Sequence, residues 1–366
     1  MSSGARIVVG ISGGVDSAVA ALRLLEAGYE VHGLHMTNWE EDDTYCSAAA
    51  DFQAAQRVCA DLGIPLHRAN FASEYREQVF ADFLAGYRAG YTPNPDVLCN
   101  RHIKFGVFLE YARRLGATRI ATGHYARLEH AGGVTRLLQA VDAAKDQTYF
   151  LHAVAPAALT AVEFPLGTLT KQAVRAQANT AGLASHDRPD STGICFIGER
   201  PFREFLGRYL QGVPGPILTP EGRRLGEHGG LVFYTPGQRT GLGIGGVAGS
   251  AEAPWYVAAR DQERNALIVV QGRDHPLLWA RQLTTGPAHW LDPEIGSALA
   301  CGPMRLDVRI RHRQVPVPAL VETGADGTLV IRSDTALWAP APGQYAVLYR
   351  AGQCLGGAVI ATVHPL

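Results

Sequence analysis

Lysine is scarce in this chain. Of its 33 basic residues only Lys104, Lys145 and Lys171 are lysine and the rest are arginine, a skew that reflects genome composition and makes an isolated arginine weak evidence of function. Net positive charge is missing too. The 33 basic residues face 34 acidic ones, net −1 with histidine neutral, which removes the global basic character of a small nucleic-acid-binding domain and confines any such binding to local patches. No apolar run approaches the about 18 residues that span a bilayer. Glycines interrupt the apolar stretch of the N-terminal MSSGARIVVGISGG too early for a signal peptide, so a cytoplasmic protein with no membrane association is expected. No C-x-x-C pair exists. The six cysteines stand at 46, 59, 99, 195, 301 and 354, which excludes a zinc ribbon or a thioredoxin-like site. In a reducing compartment these are six thiols, and a functional one has to be argued from its surroundings.

What is present suffices for two or three domains, since the chain has 366 residues, 47% of them hydrophobic, and a domain takes roughly 100–200. The first third alternates short apolar runs (6–11, 30–37, 65–70, 119–121) with amphipathic ones (17–27, 48–62, 73–88, 104–115), the pattern of an α/β parallel sheet covered by helices. Ligands of such sheets bind beyond the carboxyl ends of the strands, so the loops after Ile11, Met36 and Ala121 are the first candidates. Helical patterning continues through 171–181 and 201–211. Glycine- and proline-punctuated β runs then take over, and alternating strands at 305–313, 328–333 and 344–349 follow a further change near Gly286. The expected division is 1–204, 205–285 and 286–366.

The run RIVVGI (6–11), the turn SGGVDS (12–17) and the helix-prone AVAALRLLEAG make a strand, a glycine-rich turn and a helix. Glycines let successive N–H groups face one point, and the helix N-terminus adds partial positive charge, so the turn suits an anion such as phosphate. It is not G-x-G-x-x-G, and it lacks the G-K-[ST] whose lysine reaches the β and γ phosphates, which demotes a nicotinamide site and an ordinary γ-phosphate ATPase. Taken locally, Asp16 and Ser17 could equally be helix caps.

Two cysteines have suggestive settings. Cys99 lies in TPNPDVLCNRHIK (92–104), where two prolines are expected to prevent regular structure and Asn100 to cap the following helix. A thiol near a helix N-terminus, with Arg101, His102 and Lys104 close in sequence, is expected to be more acidic than usual. A buried, inert thiol is the competing reading. Cys195, in DSTGICFI (190–197), has no such local signal, and Cys46, Cys59, Cys301 and Cys354 read as structural. In RLDVRIRHR (305–313) a two-residue period puts Arg305, Arg309, Arg311 and Arg313 on one strand face, suited to a phosphate backbone or simply to solvent.

SGGVDS resembles the signature of the PP-loop ATP pyrophosphatases. With GLHMTNW, TPNPDVLCNRHIKFG, ATGHYAR, KDQTYFL, STGICFIGERPFREFL, FYTPGQRTGLGIGG and RHRQ following in order, the chain resembles the bacterial tRNA-specific 2-thiouridylases over nearly its full length. That resemblance implies a PP-loop (adenine nucleotide alpha hydrolase-like) α/β domain, a small β-rich central domain and a C-terminal β-barrel-like domain. It implies ATP and Mg²⁺ as cofactors and, as partners, tRNAs of the Glu, Gln and Lys acceptors and a persulfide donor protein, either a sulfur-relay protein or a cysteine desulfurase. By motif position Gly10, Ile11, Ser12, Gly13, Gly14, Val15, Asp16 and Ser17, with Met36 and Gly123, would bind ATP, and Asp16 would aid Mg²⁺ binding. Cys195 would carry the persulfide and Cys99 would assist sulfur release, pairing transiently with Cys195. Asn94, Pro95 and Asp96 would neighbour the target base. His124, Lys145, Asp146, Gln147, Arg311, His312 and Gln344 would contact tRNA. His312 stands where a tyrosine is common, and Thr240 replaces a common lysine. Two other readings remain open: a PP-loop ligase making an amide or amidine, which needs neither cysteine, and an RNA-binding protein that keeps a silent nucleotide fold.

Overall fold

The computed structural model describes residues 4–40, 48–189, 202–244 and 253–366, so Cys46 and Cys195 lie outside the described residues. The chain opens with β1 (Arg6–Gly10), α1 (Val15–Glu26), β2 (Glu30–Thr37), α2 (Ala48–Leu62), β3 (Leu66–Asn70) and, after further helical stretches, β4 (Arg119–Ala121). A hairpin, β5 (Ala126–Ala131) and β6 (Val134–Gln139), precedes the short β7 (Val162–Glu163). Five of these strands form one parallel sheet in the order β3-β2-β1-β4-β7, the expected α/β architecture. Strand β1 sends Ile7 and Val9 to one face, against Val15, Ala18 and Val19 of α1, and Val8 to the other, with Phe108 and Ile120. Burial on both faces is why it reads as a continuous apolar run. Strand order reverses at β1, which pairs with β2 on one side and β4 on the other. The crevice at the carboxyl ends of β1 and β4 is therefore the switch point at which such sheets bind ligands.

Strands β8 (Gly215–Leu218), β9 (Arg224–His228), β10 (Trp255–Asp261) and β11 (Ala266–Gln271) form a second sheet, around Ile217, Val257 and Leu267. The third contains β12 (Trp279–Pro287), β13 (His289–Trp290), β14 (Met304–Arg309), β15 (Val317–Thr323), β16 (Thr328–Trp338), β17 (Tyr345–Arg350) and β18 (Gln353–Pro365). Because β12 pairs with both β16 and β18, this antiparallel sheet closes into a barrel, filled by Leu283, Val308, Val321, Ile331 and Leu348.

Three expectations need correction. The hairpin β5–β6 was not read from the sequence, and it joins the barrel: Leu137 and Leu138 pair with Cys354 and Gln353 of β18. Its signal was the Gly132-Gly133 pair, both at positive φ, which makes the tight two-residue turn that matches strand twist. Second, the prolines before Cys99 do not prevent a helix. Helix Pro95–Leu98 runs on through a π-helical stretch, Cys99–Val107, into Phe108–Arg114. Proline is tolerated at the first helical position, where its missing N–H has no partner to lose, and Asn94 rather than Asn100 is the cap, accepting from the Asp96 N–H at 3.2 Å. Third, β14 stops at Arg309, so the basic face is broken: Arg305 is exposed and pairs with Asp334, whereas Arg309 is buried.

One apolar core crosses from the first unit into the barrel, joining Phe83, Phe108, Tyr149 and Leu151 to Val347 and Tyr349. His152 is sealed in this junction, its Nδ1–H donating to the Tyr149 carbonyl at 2.7 Å and its ring 4.7 Å from Tyr345. Burial, with the nearby charges of His289 and Arg101, lowers its pKa from 6.5 to about 4. The unfolded chain therefore takes up a proton that the folded one refuses as pH falls below 6.5, and stability, complete above that value, declines towards about pH 4. Thermal midpoints are expected to drop between about pH 7.5 and about pH 5. His152→Asn, whose amide nitrogen can take the Nδ1 position, should flatten that drop; an unchanged pH profile would remove His152 from the account.

Candidate active site

The turn between β1 and α1 sits at the switch point. Gly13 has φ +81°, and a Cβ there would meet Ala54 Cβ at 2.6 Å and Arg188 Nη1 at 2.8 Å, so only glycine fits. Ser12 and Ser17 fix the turn from within: the Ser17 hydroxyl donates to the Gly14 carbonyl at 3.0 Å and accepts from the Ser12 N–H at 3.2 Å, while Ser12 Oγ accepts from the Gly14 N–H at 3.3 Å. Helix α1 starts after Gly14 with no side chain capping its first turn, which leaves its N-terminus available to an anion. Ile11 and Val15 are buried beneath the turn. A Cβ on Gly10 would touch Met36 Cε and Phe108 Cε1, both at 3.4 Å, so Met36 lies beside the end of β1. Gly123 closes the other wall, where a Cβ would stand 2.8 Å from both the Asp16 carbonyl carbon and the Ser17 nitrogen. The turn, Met36 and Gly123 are thus gathered at one crevice.

Asp16 faces a partner that the sequence reading did not single out. Lys171 Nζ donates to both carboxylate oxygens, at 2.7 and 2.8 Å, and Tyr125 Oη donates to Oδ1 at 2.8 Å. Lys171 opens helix Lys171–Thr180, which Thr170 caps by accepting from the Ala173 N–H. Arg188 approaches from the far side of the turn. Its Nη2 donates to Asp51, and Nη1, beside Gly13, is buried with no hydrogen-bond partner among the described residues. Cations thus flank a turn that contains none.

Cys99 occupies the fifth position of the helix begun at Pro95, 3% exposed and within the main core. That helix leads from Cys99 to Phe105, whose ring is 5.7 Å from His124, the residue after Gly123. His124 is buried, bonded through Nδ1 to Thr122 Oγ1 at 2.7 Å, and held neutral by burial and by the charge of Lys104. Its placement is internal, not at a surface open to a macromolecule. Burial also raises the Asp96 carboxyl, with Lys104 opposing the shift. Asn100, next to Cys99, donates to the Phe150 carbonyl at 3.1 Å, and its buried Oδ1 has no partner among the described residues. Cys59 is buried with its pKa pushed up to about 11, Cys354 is buried and shifted up as well, and Cys301 is exposed at a helix end.

The remaining candidates lie along the seam between sheet and barrel. Gln344 donates to the Thr92 carbonyl at 2.8 Å and accepts from Asn94 Nδ2 at 3.5 Å, so a barrel residue reaches the stretch before Cys99. Gln147 is tied to Tyr125 by two bonds of 2.9 Å, and through it to Asp16. Asp146 is 1% exposed, its carboxylate bonded to Arg309 at 2.7 Å, to Thr148 and to the Ala140 N–H. The structure gives that side chain an internal partner set, leaving half-buried Lys145 as the cation of the strip. His312 Nε2 donates to the Asp146 carbonyl at 2.8 Å, and its ring lies 4.5 Å from Phe150. Arg311 donates to the carbonyls of Pro236 and Ala339 and lies 5.2 Å from the Trp338 ring, joining central and barrel units.

Among the described residues no group of three or more His, Cys, Asp or Glu side chains is placed to hold a metal, and no helix is long and apolar enough to cross a membrane. Family models cover most of the chain: a tRNA methyl transferase HUP domain over residues 5–199, a tRNA methyl transferase PRC-barrel domain over 203–271 and an aminomethyltransferase beta-barrel domain over 280–360. A protein of Halorhodospira halophila named tRNA-specific 2-thiouridylase MnmA is 55% identical over 365 residues, 98% of this chain and 94% of its own length. Proteins of the same name from Chromohalobacter salexigens and Alkalilimnicola ehrlichii are each 54% identical, over 97% and 99% of this chain and 92% and 98% of their own. With identity of this order along the whole of both chains, and with the glycine turn and the helix of Cys99 meeting at one crevice, this chain belongs to the tRNA-specific 2-thiouridylase family.

Proposed function

We propose that this protein is an ATP-dependent tRNA-uridine 2-sulfurtransferase that converts the wobble uridine to 2-thiouridine. The observation that carries the reading is the meeting, at the sheet's switch point, of an uncapped glycine turn with the helix that bears Cys99. The turn, Met36 and Gly123 bind ATP, with the pyrophosphate portion at the α1 N-terminus. Asn94, Pro95 and Asp96 present the target base, and Lys145 and Gln147 hold the RNA beside it. A Mg²⁺ that travels on the nucleotide phosphates needs only one or two protein carboxylates, and the residues present fit that mode: Asp16 is the carboxylate of the turn and would hold it once Lys171 turns away. The ion would screen the charge of the phosphates.

The C2 oxygen of uridine is amide-like and a poor leaving group. Its attack on the α-phosphorus expels pyrophosphate and makes that oxygen part of an AMP leaving group. The terminal sulfur of a persulfide on Cys195 then attacks C2, and AMP departs. The Cys99 thiolate attacks Cys195 Sγ, which breaks the sulfur–sulfur bond to the product and leaves a Cys99–Cys195 disulfide for an external thiol to reduce. A direct disulfide needs Cα atoms within about 4.4–6.8 Å, so the two segments must come together at that step. The persulfide is supplied by a donor protein, and the site is a cytoplasmic one.

Incubation with α- or γ-labelled ATP tests the first half-reaction. Pyrophosphate and AMP are expected, in equal amounts and only when a tRNA with a wobble uridine is present. Orthophosphate would remove the adenylation step; pyrophosphate release indifferent to tRNA would favour the ligase reading, and no release the silent nucleotide fold.

A further inference from the structure

Phosphate-binding turns that carry their own lysine place an ammonium against the β and γ phosphates, and the turn at residues 12–17 has none. The fold brings one from 155 residues away: Lys171 Nζ lies 2.7 and 2.8 Å from the Asp16 oxygens, at the head of α1. Tyr125 holds Asp16 from the other side. The composition points the same way. In a chain whose basic residues are nearly all arginine, Lys104, Lys145 and Lys171 remain, and none is exposed, although lysine is among the residue types most rarely buried. Lys171 keeps only 12% of its side chain exposed. A compact, rotatable ammonium does here what a wide planar guanidinium does not: it bonds one small acceptor and can swing to another within the same crevice.

We propose that Lys171 is the pyrophosphate-binding lysine of this site. Before nucleotide arrives it is the counter-ion of Asp16; when ATP enters, its ammonium passes to the β and γ phosphates and remains with the leaving pyrophosphate. Asp16 is released in the same movement to face the cation that accompanies the nucleotide. The inference rests on the reading of the turn as an ATP site and adds to it a residue from outside the motif.

Calorimetric titration of the full chain with ATP, AMP and inorganic pyrophosphate tests it, because only AMP lacks the groups Lys171 would touch. Lys171→Met is expected to weaken ATP and pyrophosphate by about 10–100-fold while AMP changes by less than about twofold. Equal losses for ATP and AMP, or none, would make Lys171 a structural partner of Asp16 and overturn the proposal. A wild-type protein that binds neither ATP nor pyrophosphate would instead remove the nucleotide reading, and this inference with it. A second measurement does not depend on how Lys171→Met folds. Reductive ¹³C-methylation of the wild-type protein labels three lysines, few enough to assign through single Lys→Arg variants. The Lys171 signal should shift on adding ATP or pyrophosphate and stay in place with AMP; a signal indifferent to pyrophosphate would exclude the contact.

Discussion

Protein carrying Cys195→Ser, given ATP, a persulfide source and tRNA, is expected to form no 2-thiouridine while still releasing pyrophosphate. A serine oxygen cannot carry a sulfane sulfur, so the loss is that of a nucleophile, about 10³-fold or more, whereas adenylation does not call on that residue. Cys99→Ser should fail differently. Cys99 is 3% exposed at the fifth position of its helix, and in the proposed relay its removal leaves the base joined to Cys195 through an unbroken sulfur–sulfur bond. Mass spectrometry of the wobble nucleosides, with and without dithiothreitol, separates the two: nothing from Cys195→Ser, and a reductant-releasable tRNA–protein adduct from Cys99→Ser. Normal 2-thiouridine from Cys195→Ser under either condition, or from Cys99→Ser without reductant, would end the proposed relay.

The second large effect concerns stability. Asp146 and Arg309 form an ion pair at 2.7 Å with side-chain exposures of 0% and 5%, and Arg309 also lies 5.1 Å from the Tyr349 ring. Arg309→Met leaves a buried carboxylate with no cation, only the neutral donors Ala140 N–H, Thr148 hydroxyl and, at 3.5 Å, Gln139 Nε2. The expected cost is about 3–5 kcal/mol, read as a lowered urea midpoint of the unit containing the barrel. Asp146→Asn combined with Arg309→Met removes both charges and should recover much of that loss, as paired replacements of buried ions do. A single variant within about 1 kcal/mol of wild type would mean that the pair is hydrated in solution. The strip from Lys145 to Gln147 hangs from this pair and from the His312 bond to the Asp146 carbonyl, so weaker tRNA binding should accompany the lost stability.

Much of the architecture was legible without coordinates. The apolar run 7–9 became the centre of β1 because burial on both faces demands an unbroken apolar stretch, and SGGVDS became an uncapped turn because Gly13 needs a positive φ and has no room for a side chain. Other features were misread for local reasons. Pro93 and Pro95 suggested irregular chain before Cys99, yet a proline at the first helical position removes no hydrogen bond. Arg305 to Arg313 read as one basic face by two-residue alternation, but alternation only divides the two sides of a strand. It does not say that the strand ends at Arg309 or that Asp146, from 163 residues earlier, meets that arginine in a buried ion pair.

The alternation of strands and helices in the first unit and the glycine turn follow from the sequence alone, because propensity, periodicity and turn chemistry act within a turn or two of chain. The pairing of Lys171 with Asp16 across 155 residues, and of Arg309 with Asp146 across 163, was decided by the tertiary structure. A long-range ion pair leaves no periodic trace in a sequence. It exists only where packing brings two charges together and withholds the water that would otherwise solvate each of them separately.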